Sequence, residues 1–359
     1  HNGSALFTGD AGSGESEIRR HIIENDWLNC IIALPKNIFY NTGIPTYVWI
    51  ISNRKPENRR GKVQLINAVE LYEKLRKNLG DKNCELTSKH IEQITQLYLN
   101  FEETEISKIF PNDYFGYNKI TVERPLRLSA RFSQEALENL LFDKNIEEEM
   151  RWTYDKFGDE VFSKLKEFKP EIEKYLAKQN IKLNAGNKKN LFSQEYWNAQ
   201  KSLVQEAQKL MNLFGTKQFD DYNKFYALFS KTIKENKLTL DNKGQKAILN
   251  AITWRNEEAE PVVKKKEKDG TIIYEANSDL RDTENVPLNE DIQTYFEREV
   301  LQHVPDAWID HSKTVVGYEI SFTRYFYNYT PPRSIEEITA EILQLEKETD
   351  GILFEIVND

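Results

Sequence analysis

A continuous apolar run, Cys30-Ile31-Ile32-Ala33-Leu34, constrains the fold more than any other feature of the sequence. A run of this kind, ended by Pro35, is typical of a strand that is buried on both faces of a sheet. A helical pattern at residues 16–24 precedes it, and β-branched and aromatic segments at 46–52 and 63–67 follow it. A helix followed by buried strands predicts an α/β unit, and because a glycine-rich loop precedes the helix, we expect earlier βα units to be missing.

The remainder of the chain is predicted to be mostly helical. Apolar residues recur at three- and four-residue steps in segments 69–78, 88–101, 133–142, 195–213 and 222–236. An aromatic turn at 113–117 leads into a short strand. Asp269-Gly270 predicts a two-residue β-hairpin. Ser334 and Glu337 form a capping box that opens a last helix, whose apolar residues have heptad spacing: Ile335, Ile338, Ile342 and Leu345.

Composition limits the classes of protein that fit. The 359 residues carry a net charge of −9, which argues against a domain that wraps nucleic acid broadly but allows a local basic patch. Two cysteines without zinc-ligand spacing indicate a reducing compartment and no metal site. No apolar run approaches the roughly 20 residues of a membrane span, and no signal peptide opens the chain. We expect a cytoplasmic protein. Since the chain begins at His1, we also expect that a preceding segment is absent.

Residues 9–16 have the glycine spacing of a phosphate-binding P-loop. Glu15 stands where that loop needs a lysine, and its carboxylate would repel phosphate. The dinucleotide fingerprint fails as well, because Glu17 occupies the third glycine position. We therefore interpret residues 9–16 as a flexible loop that caps a helix, with nucleotide binding as the weaker alternative.

Three segments carry residue types that suit binding, and each has a second interpretation. One is a turn with five positive charges, which would contact DNA phosphates or would be a solvated loop. Its cations are Arg54, Lys55, Arg59, Arg60 and Lys62. The loop Phe39-Tyr40-Asn41-Thr42-Gly43-Ile44-Pro45 would stack an aromatic ring on a flipped base or use it to fill the core. The aromatic cluster at 322–329 is an interface or a satellite core.

Several longer stretches carry a family resemblance. They are Leu6-Phe7-Thr8-Gly9, Ile32-Ala33-Leu34-Pro35-Lys36-Asn37-Ile38-Phe39-Tyr40-Asn41-Thr42-Gly43-Ile44, Thr121-Val122-Glu123-Arg124-Pro125-Leu126-Arg127, and segments 279–288, 304–308 and 316–326. Together they resemble the methylation subunit of type I restriction–modification systems, a family of N6-adenine DNA methyltransferases.

The resemblance implies a Rossmann-like sheet that uses S-adenosylmethionine. The family binds this cofactor on a Gly-rich turn and holds the flipped adenine with an Asn-Pro-Pro-Phe/Tyr motif. Neither motif is present, and the one Pro-Pro pair, Pro331-Pro332, lies between Thr330 and Arg333. We therefore expect a C-terminal fragment: an α/β remnant of the catalytic sheet, then a mostly α-helical C-terminal region with a small β-hairpin. The fragment should be inactive alone and bind no cofactor itself, whereas the intact enzyme uses S-adenosylmethionine.

The same resemblance implies four regions. Residues 1–68 would be the C-terminal part of the methyltransferase domain, and 69–132 a helical and strand extension of it. Residues 133–258 would be a helical region. Residues 259–359 would hold the hairpin and a segment that docks on another subunit.

The resemblance also implies site residues and partners. Phe39, Tyr40 and Thr42 occupy the position of the family's late motif, which lines the target-base pocket. The partners would be DNA, a specificity subunit, the restriction subunit of the full complex and the missing N-terminal half. The residues that would dock on the specificity subunit are Phe322, Tyr325, Phe326, Ile335, Ile338, Ile342 and Leu345. The alternative is a non-catalytic scaffold that links DNA to a specificity subunit, for which a genuine start codon at this point would be the discriminating observation.

Overall fold

The computed structural model describes residues 1–327, 329 and 332–358, so the predicted Pro331-Pro332 pair lies partly outside the described residues. The strands, in chain order, are β1 (Leu28–Ala33), β2 (Tyr47–Ile51), β3 (Lys62–Asn67), β4 (Glu73–Leu79), β5 (Lys82–Glu85), β6 (Ser107–Pro111), β7 (Gly116–Glu123), β8 (Leu128–Ala130), β9 (Thr253–Arg255), β10 (Val263–Lys266), β11 (Ile272–Tyr274), β12 (Asp282–Pro287), β13 (Trp308–Ile309) and β14 (Val315–Tyr318). The α-helices are α1 (Ser4–Phe7), α2 (Gly14–Glu24), α3 (Ser88–Asn100), α4 (Gln134–Asn139), α5 (Glu147–Phe157), α6 (Val161–Lys178), α7 (Ala185–Leu191), α8 (Gln194–Phe214), α9 (Tyr222–Glu235), α10 (Asn242–Ile252), α11 (Ile292–Glu299), α12 (Phe322–Tyr325) and α13 (Ile335–Asn358).

These elements form two units. Unit 1 holds His1–Ile120, Glu284–Tyr295 and the described residues from Lys313 onward. Unit 2 holds Thr121–Thr283 and Phe296–Ser312. Both units are therefore discontinuous in sequence, and the first boundary falls inside β7.

A four-stranded mixed sheet in the order β2-β1-β3-β6 forms the centre of unit 1. β1 pairs with β3 in parallel and with β2 in antiparallel orientation, and β6 is antiparallel to β3. All six residues of β1 are buried, which confirms the predicted doubly buried strand. The strands predicted near 46–52 and 63–67 are confirmed as β2 and β3.

Each face of this sheet has its own apolar core, which explains the unbroken apolar run. Leu28, Ile31 and Ala33 of β1 point to a cluster that includes Ile23 of α2. The intervening residues Cys30 and Ile32 point to the other cluster, with apolar residues of α3. Because successive side chains of a strand alternate between faces, the run from Cys30 to Ala33 supplies apolar residues to both cores in turn.

The prediction of a helix at 69–78 is wrong, because strand β4 of the β4–β5 hairpin lies there. Gly80 forms its turn with φ of +61°, a left-handed conformation that glycine adopts without steric cost. The hairpin is also bonded to the loop after β1, as described below. Apolar spacing over ten residues does not distinguish a helix from a strand when such a turn and such partners decide the conformation.

Unit 2 is mostly helical and contains two apolar clusters. The first involves α4, α8, α9 and α10, and the second involves α5, α6, α7 and α8. The predicted helices at 195–213 and 222–236 are confirmed as α8 and α9, and Gly215 follows α8 with φ of +68°. The predicted hairpin at Asp269-Gly270 is confirmed by β10 and β11. The chain is thus a mixed α/β protein with a largely helical second unit. Among the described residues, no helix combines the length and the apolar character needed to cross a membrane.

Candidate nucleic-acid interface

The candidate site lies where the two parallel strands of unit 1 end. Because β1 and β3 are parallel, their carboxyl ends, Ala33 and Asn67, meet at one edge of the sheet. In open α/β sheets, ligands bind outside the carboxyl ends of the strands. The loop at residues 35–45, which carries the predicted target-base residues, leaves the sheet at this edge.

The loop presents its aromatic rings to solvent. Phe39 and Tyr40 are 47% and 69% exposed, so neither ring fills the core. Phe39 and Thr42 form an isolated antiparallel bridge, and the Thr42 hydroxyl accepts a hydrogen bond from Ile44 N at 3.4 Å. The structure therefore brings the three predicted pocket residues together on one short turn. Stacking on a base stays a prediction for them.

The β4–β5 hairpin holds this loop from the side. Asp81 N donates to the Tyr40 carbonyl at 2.8 Å, and Asn83 N donates to the Asn37 carbonyl at 3.0 Å. The Asn37 side-chain amide donates to the Asp81 carbonyl at 3.0 Å. The Cys84 thiol donates to the Lys36 carbonyl at 3.1 Å, and burial raises the pKa of this thiol. Sequence reasoning missed this support, although the dipeptide Gly80-Asp81 is a recognisable turn signal.

Lys55, one of the five predicted DNA-backbone cations, lies inside unit 1. Its side chain is 2% exposed, and its Nζ donates to Asp26 Oδ1 at 2.5 Å and to the Lys62 carbonyl at 2.7 Å. Burial lowers the pKa of Lys55. Burial alone would raise the pKa of Asp26, but hydrogen bonds from Lys55, Gly61 N and Asn112 hold it below its usual value. The Lys55 ammonium therefore has its hydrogen-bond acceptors within the protein.

Arg59 is also buried. Its Nη1 donates to Asn29 Oδ1 at 3.2 Å and to Gln64 Oε1 at 3.1 Å, while Nη2 donates to the Tyr98 carbonyl. The guanidinium lies 4.2 Å from the centroid of the Tyr98 ring and 4.3 Å from that of Phe101. We therefore correct the expectation for Lys55 and Arg59, which stabilise the fold. Arg54, Arg60 and Lys62 are exposed, and DNA contact stays a prediction for these three.

The basic turn and the aromatic loop lie at opposite edges of the sheet. The turn joins the end of β2 to the start of β3, and β3 starts beside the amino end of β1. The loop follows the carboxyl end of β1. A six-residue strand separates the two edges by roughly 20 Å, at about 3.3 Å per residue. The structure does not bring these two predicted contact sets together.

The glycine-rich loop at residues 9–16 is fixed by bonds within unit 1. Arg19, which sequence reasoning missed, donates to the carbonyls of Thr8 at 2.8 Å, Gly9 at 3.3 Å and Tyr318 at 2.7 Å. Two loop N–H groups, of Ala11 and Ser13, donate to the Asp10 side chain and carbonyl. A P-loop needs such N–H groups to face phosphate. This arrangement supports a helix-capping loop, with Ser13 as the N-cap of α2.

The predicted subunit-docking residues separate into two groups. Phe322, Tyr325 and Phe326 pack into the unit 1 core; the Phe322 ring lies 5.3 Å from that of Tyr47, and the Tyr325 ring 4.7 Å from that of Phe110. We correct the expectation for Phe322, because its ring is buried; Tyr325 and Phe326 are half-buried against the same cluster, and docking stays a prediction for these two. The other four residues are exposed on α13: Ile335, Ile338, Ile342 and Leu345. The predicted capping box opens this helix, since Glu337 N donates to Ser334 Oγ at 3.1 Å and Ser334 N to Glu337 Oε2 at 3.2 Å.

In the part of the chain that the structure describes, no three or more His, Cys, Asp or Glu side chains are grouped so that they could hold a metal ion.

Comparison with known proteins supports the resemblance. Residues 2–119 match the family model described as N-6 DNA Methylase, and this stretch coincides with the first continuous segment of unit 1. The type I restriction enzyme MjaIX methylase subunit of Methanocaldococcus jannaschii is 41% identical over 95 residues, 26% of this chain and 16% of the relative. The MjaVII methylase subunit of the same organism is 37% identical over 122 residues, 31% of this chain and 19% of the relative. The HindI methylase subunit of Haemophilus influenzae is 39% identical over 59 residues, 16% of this chain and 13% of the relative.

Among solved structures, the type I restriction–modification methyltransferase subunit from Streptococcus thermophilus matches 31% of this chain and 22% of its own, with 29% identity and a TM-score of 0.27. The matched part of the chain spans less than a fifth of the length of each curated relative. The resemblance to type I methylation subunits is confirmed by the family model and by these relatives.

Proposed function

We propose that this chain is part of the methylation subunit of a type I restriction–modification system, in which a methyl group passes from S-adenosylmethionine to N6 of adenine in DNA. We further propose that the loop at residues 35–45 is one wall of the target-base pocket. The observation that carries this is the position of Phe39 and Tyr40, exposed at the carboxyl edge of a parallel strand pair within the segment that matches the N-6 DNA Methylase family.

The proposed role follows from the chemistry of adenine in a duplex. An enzyme reaches the exocyclic amine only after the nucleotide is flipped out of the helix. The flipped base then needs a flat apolar surface, and an exposed ring on a braced turn provides one. The hydrogen bonds from the β4–β5 hairpin keep the loop backbone in place, so little ordering is left to occur when the base arrives.

Two segments of unit 1 where S-adenosylmethionine could be expected do not fit this cofactor. β1 is followed by Pro35-Lys36-Asn37, which is not a glycine-rich turn. The loop at residues 9–16 carries the carboxylates of Asp10 and Glu15, and the N–H groups of Ala11 and Ser13 have acceptors within the loop. We therefore propose that the cofactor is held by residues outside this sequence. In this proposal the sheet β2-β1-β3-β6 is the C-terminal part of a Rossmann-like methyltransferase sheet.

We also propose that α13 binds the specificity subunit of such a system. Its exposed apolar residues recur at heptad spacing on a helix that starts with a capping box. An exposed apolar stripe of this kind is the face that an amphipathic helix buries against a partner. DNA and the restriction subunit complete the proposed set of partners.

The test of the pocket is to replace Phe39 and Tyr40 singly with alanine in the full-length subunit and to measure methylation together with the fluorescence of 2-aminopurine at the target base. Stacking contributes about 1–3 kcal/mol per base, so removing the ring that stacks should weaken the flipped-base complex roughly 5- to 150-fold. At least one of the two variants should also methylate more slowly. Tyr226→Ala is the matched control, because Tyr226 is 47% exposed but belongs to unit 2. If both loop variants behave like this control, the loop is not a base pocket.

A further inference from the structure

The hairpin that supports the aromatic loop also carries a group of exposed basic side chains. Residues 74–80 contain three positive charges, Lys74, Arg76 and Lys77, and the acids Glu73 and Asp81 flank this segment. All three side chains are exposed. None of them forms an ion pair with any described residue, whereas Lys82 on the partner strand lies 3.9 Å from Glu85. We call these three residues the hairpin cations.

The strand that carries the hairpin cations is irregular, because its pairing with β5 shifts register between Lys74 and Leu79. Lys74 pairs with Cys84 and Leu79 pairs with Lys82, so β4 advances five residues where β5 advances two. Arg76 and Lys77 lie within this bulge. β-bulges re-aim side chains and are frequent beside functional sites.

The hairpin cations are tied to the aromatic loop through the hairpin backbone. Gly80 is so close to Tyr40 that an added Cβ would lie 2.5 Å from the Tyr40 carbonyl oxygen and 3.3 Å from its ring. With the four hydrogen bonds described above, this contact makes the loop and the hairpin one assembly. The loop adds Lys36, and residues 27–56 contain no Asp or Glu. The acids of the hairpin are Glu73, Asp81 and Glu85, against the cations Lys74, Arg76, Lys77 and Lys82, so the loop and the hairpin together keep an excess of positive charge.

We propose that the β4–β5 hairpin contacts the phosphates of the DNA strand that carries the target base, with the hairpin cations as the contacting groups. This inference rests on the proposed function and extends it to a second element, which sequence reasoning had assigned to a helix. In this proposal, the hairpin contacts the DNA backbone at the edge of the sheet where the aromatic loop lies. The turn at residues 54–62 lies at the opposite edge and does not make this contact. Exposed rings beside unpaired cations are the usual composition of a surface that follows a nucleic-acid strand.

The experiment compares two triple variants of the full-length subunit that remove the same charge. One is Lys74→Ala, Arg76→Ala, Lys77→Ala in the hairpin; the other is Arg54→Ala, Arg60→Ala, Lys62→Ala in the turn. DNA affinity is measured by fluorescence anisotropy over a range of salt concentrations, with a duplex that contains the target site. Thermal unfolding of each variant checks that it is folded, which we expect because all six side chains are exposed.

Each phosphate contact contributes about 0.9 to the slope of log affinity against log salt, so the hairpin variant should lose roughly 2–3 from that slope. Its affinity near 0.1 M salt should fall at least about tenfold, since counterion release provides much of the binding free energy. The turn variant should keep its slope within about one contact. An unchanged slope in the hairpin variant would overturn the proposal, as would an equal loss in both variants, because an equal loss reports net charge alone.

The Tyr40→Ala and Phe39→Ala variants separate this inference from the function on which it rests. If the hairpin variant keeps its salt slope while a ring variant impairs base flipping, the loop is a base pocket and the hairpin inference is wrong. If neither ring variant affects methylation or base flipping, the proposed function fails, whatever the hairpin variant does.

Discussion

At the scale of single residues, the basic turn shows that equal formal charges have unequal roles. Arg59 and Arg60 are neighbours with the same side chain, yet Arg59 is 4% exposed with three hydrogen-bond acceptors and two aromatic rings around it, while Arg60 is exposed. A charge pattern in the sequence cannot distinguish them. Burial of Arg59 depends on Asn29, Gln64 and the end of α3, and of these only Gln64 lies near the turn in sequence.

We expect Arg59→Ala to lower the free energy of unfolding by about 2–4 kcal/mol, because it leaves buried acceptors without a donor and removes packing between two rings. Arg59→Lys should recover only part of this loss, since one ammonium cannot reproduce the planar fork of the guanidinium. Arg60→Ala is the matched control and should stay within about 0.5 kcal/mol of the unsubstituted protein. Urea unfolding measures all three. Equal effects of Arg59→Ala and Arg60→Ala would contradict the placement of Arg59.

At the scale of secondary-structure elements, the sequence predicts the strands and helices whose pattern of apolar residues favours one type of element. β1 is predictable because a run of five apolar residues that contains Ile31 and Ile32 and ends at Pro35 is too short for a buried helix and favours a doubly buried strand. α3, α8 and α9 are long enough for their periodicity to be unambiguous. The hairpin β4–β5 was not predicted, because β4 is largely polar and exposed and because the partners of the hairpin, the backbone groups of Asn37 and Tyr40, carry no sequence signal beyond the turn Gly80-Asp81. The site was therefore half predictable: the loop was found, and its support was not.

The helix α13 allows a prediction about binding to the proposed partner. Ile338→Asp combined with Ile342→Asp should weaken binding to the specificity subunit more than about 100-fold, because a buried, unpaired charge at an interface costs several kcal/mol. Both side chains are exposed, so thermal unfolding of the subunit alone should be nearly unchanged. Co-purification and surface plasmon resonance measure the binding. Gln344→Asp, which adds a charge to the same helix at a polar position, is the control. Full binding by the double variant would show that another surface docks.

At the scale of the whole molecule, the regions predicted from the sequence are continuous, whereas the two units in the structure are not. The regions predicted from the sequence and its resemblance end at residues 68, 132 and 258, and all of them are continuous pieces of the chain. The two units are discontinuous, since residues 284–295 and the segment from Lys313 return to unit 1. The return depends on pairing such as that of Val315–Tyr318 with the first half of β7. Pairing over about 200 residues of sequence leaves no local pattern, which is why texture alone does not reveal it.

Each apolar core contains residues of only one unit. A substitution that leaves a cavity in one core should therefore destabilise that unit before the other. Trp197 is fully buried in unit 2, in the cluster of α5 to α8, and its indole N–H donates to the Leu191 carbonyl at 2.9 Å. Trp197→Ala should destabilise this cluster by about 3–5 kcal/mol through the cavity and the lost hydrogen bond. Hydrogen exchange followed by mass spectrometry should show lost protection in α5 to α8, with β1 and β3 of unit 1 retaining theirs. Trp254→Ala, at a partly exposed tryptophan of the same unit, should leave both regions protected. Loss of protection in β1 and β3 after Trp197→Ala would mean that the two units unfold as one.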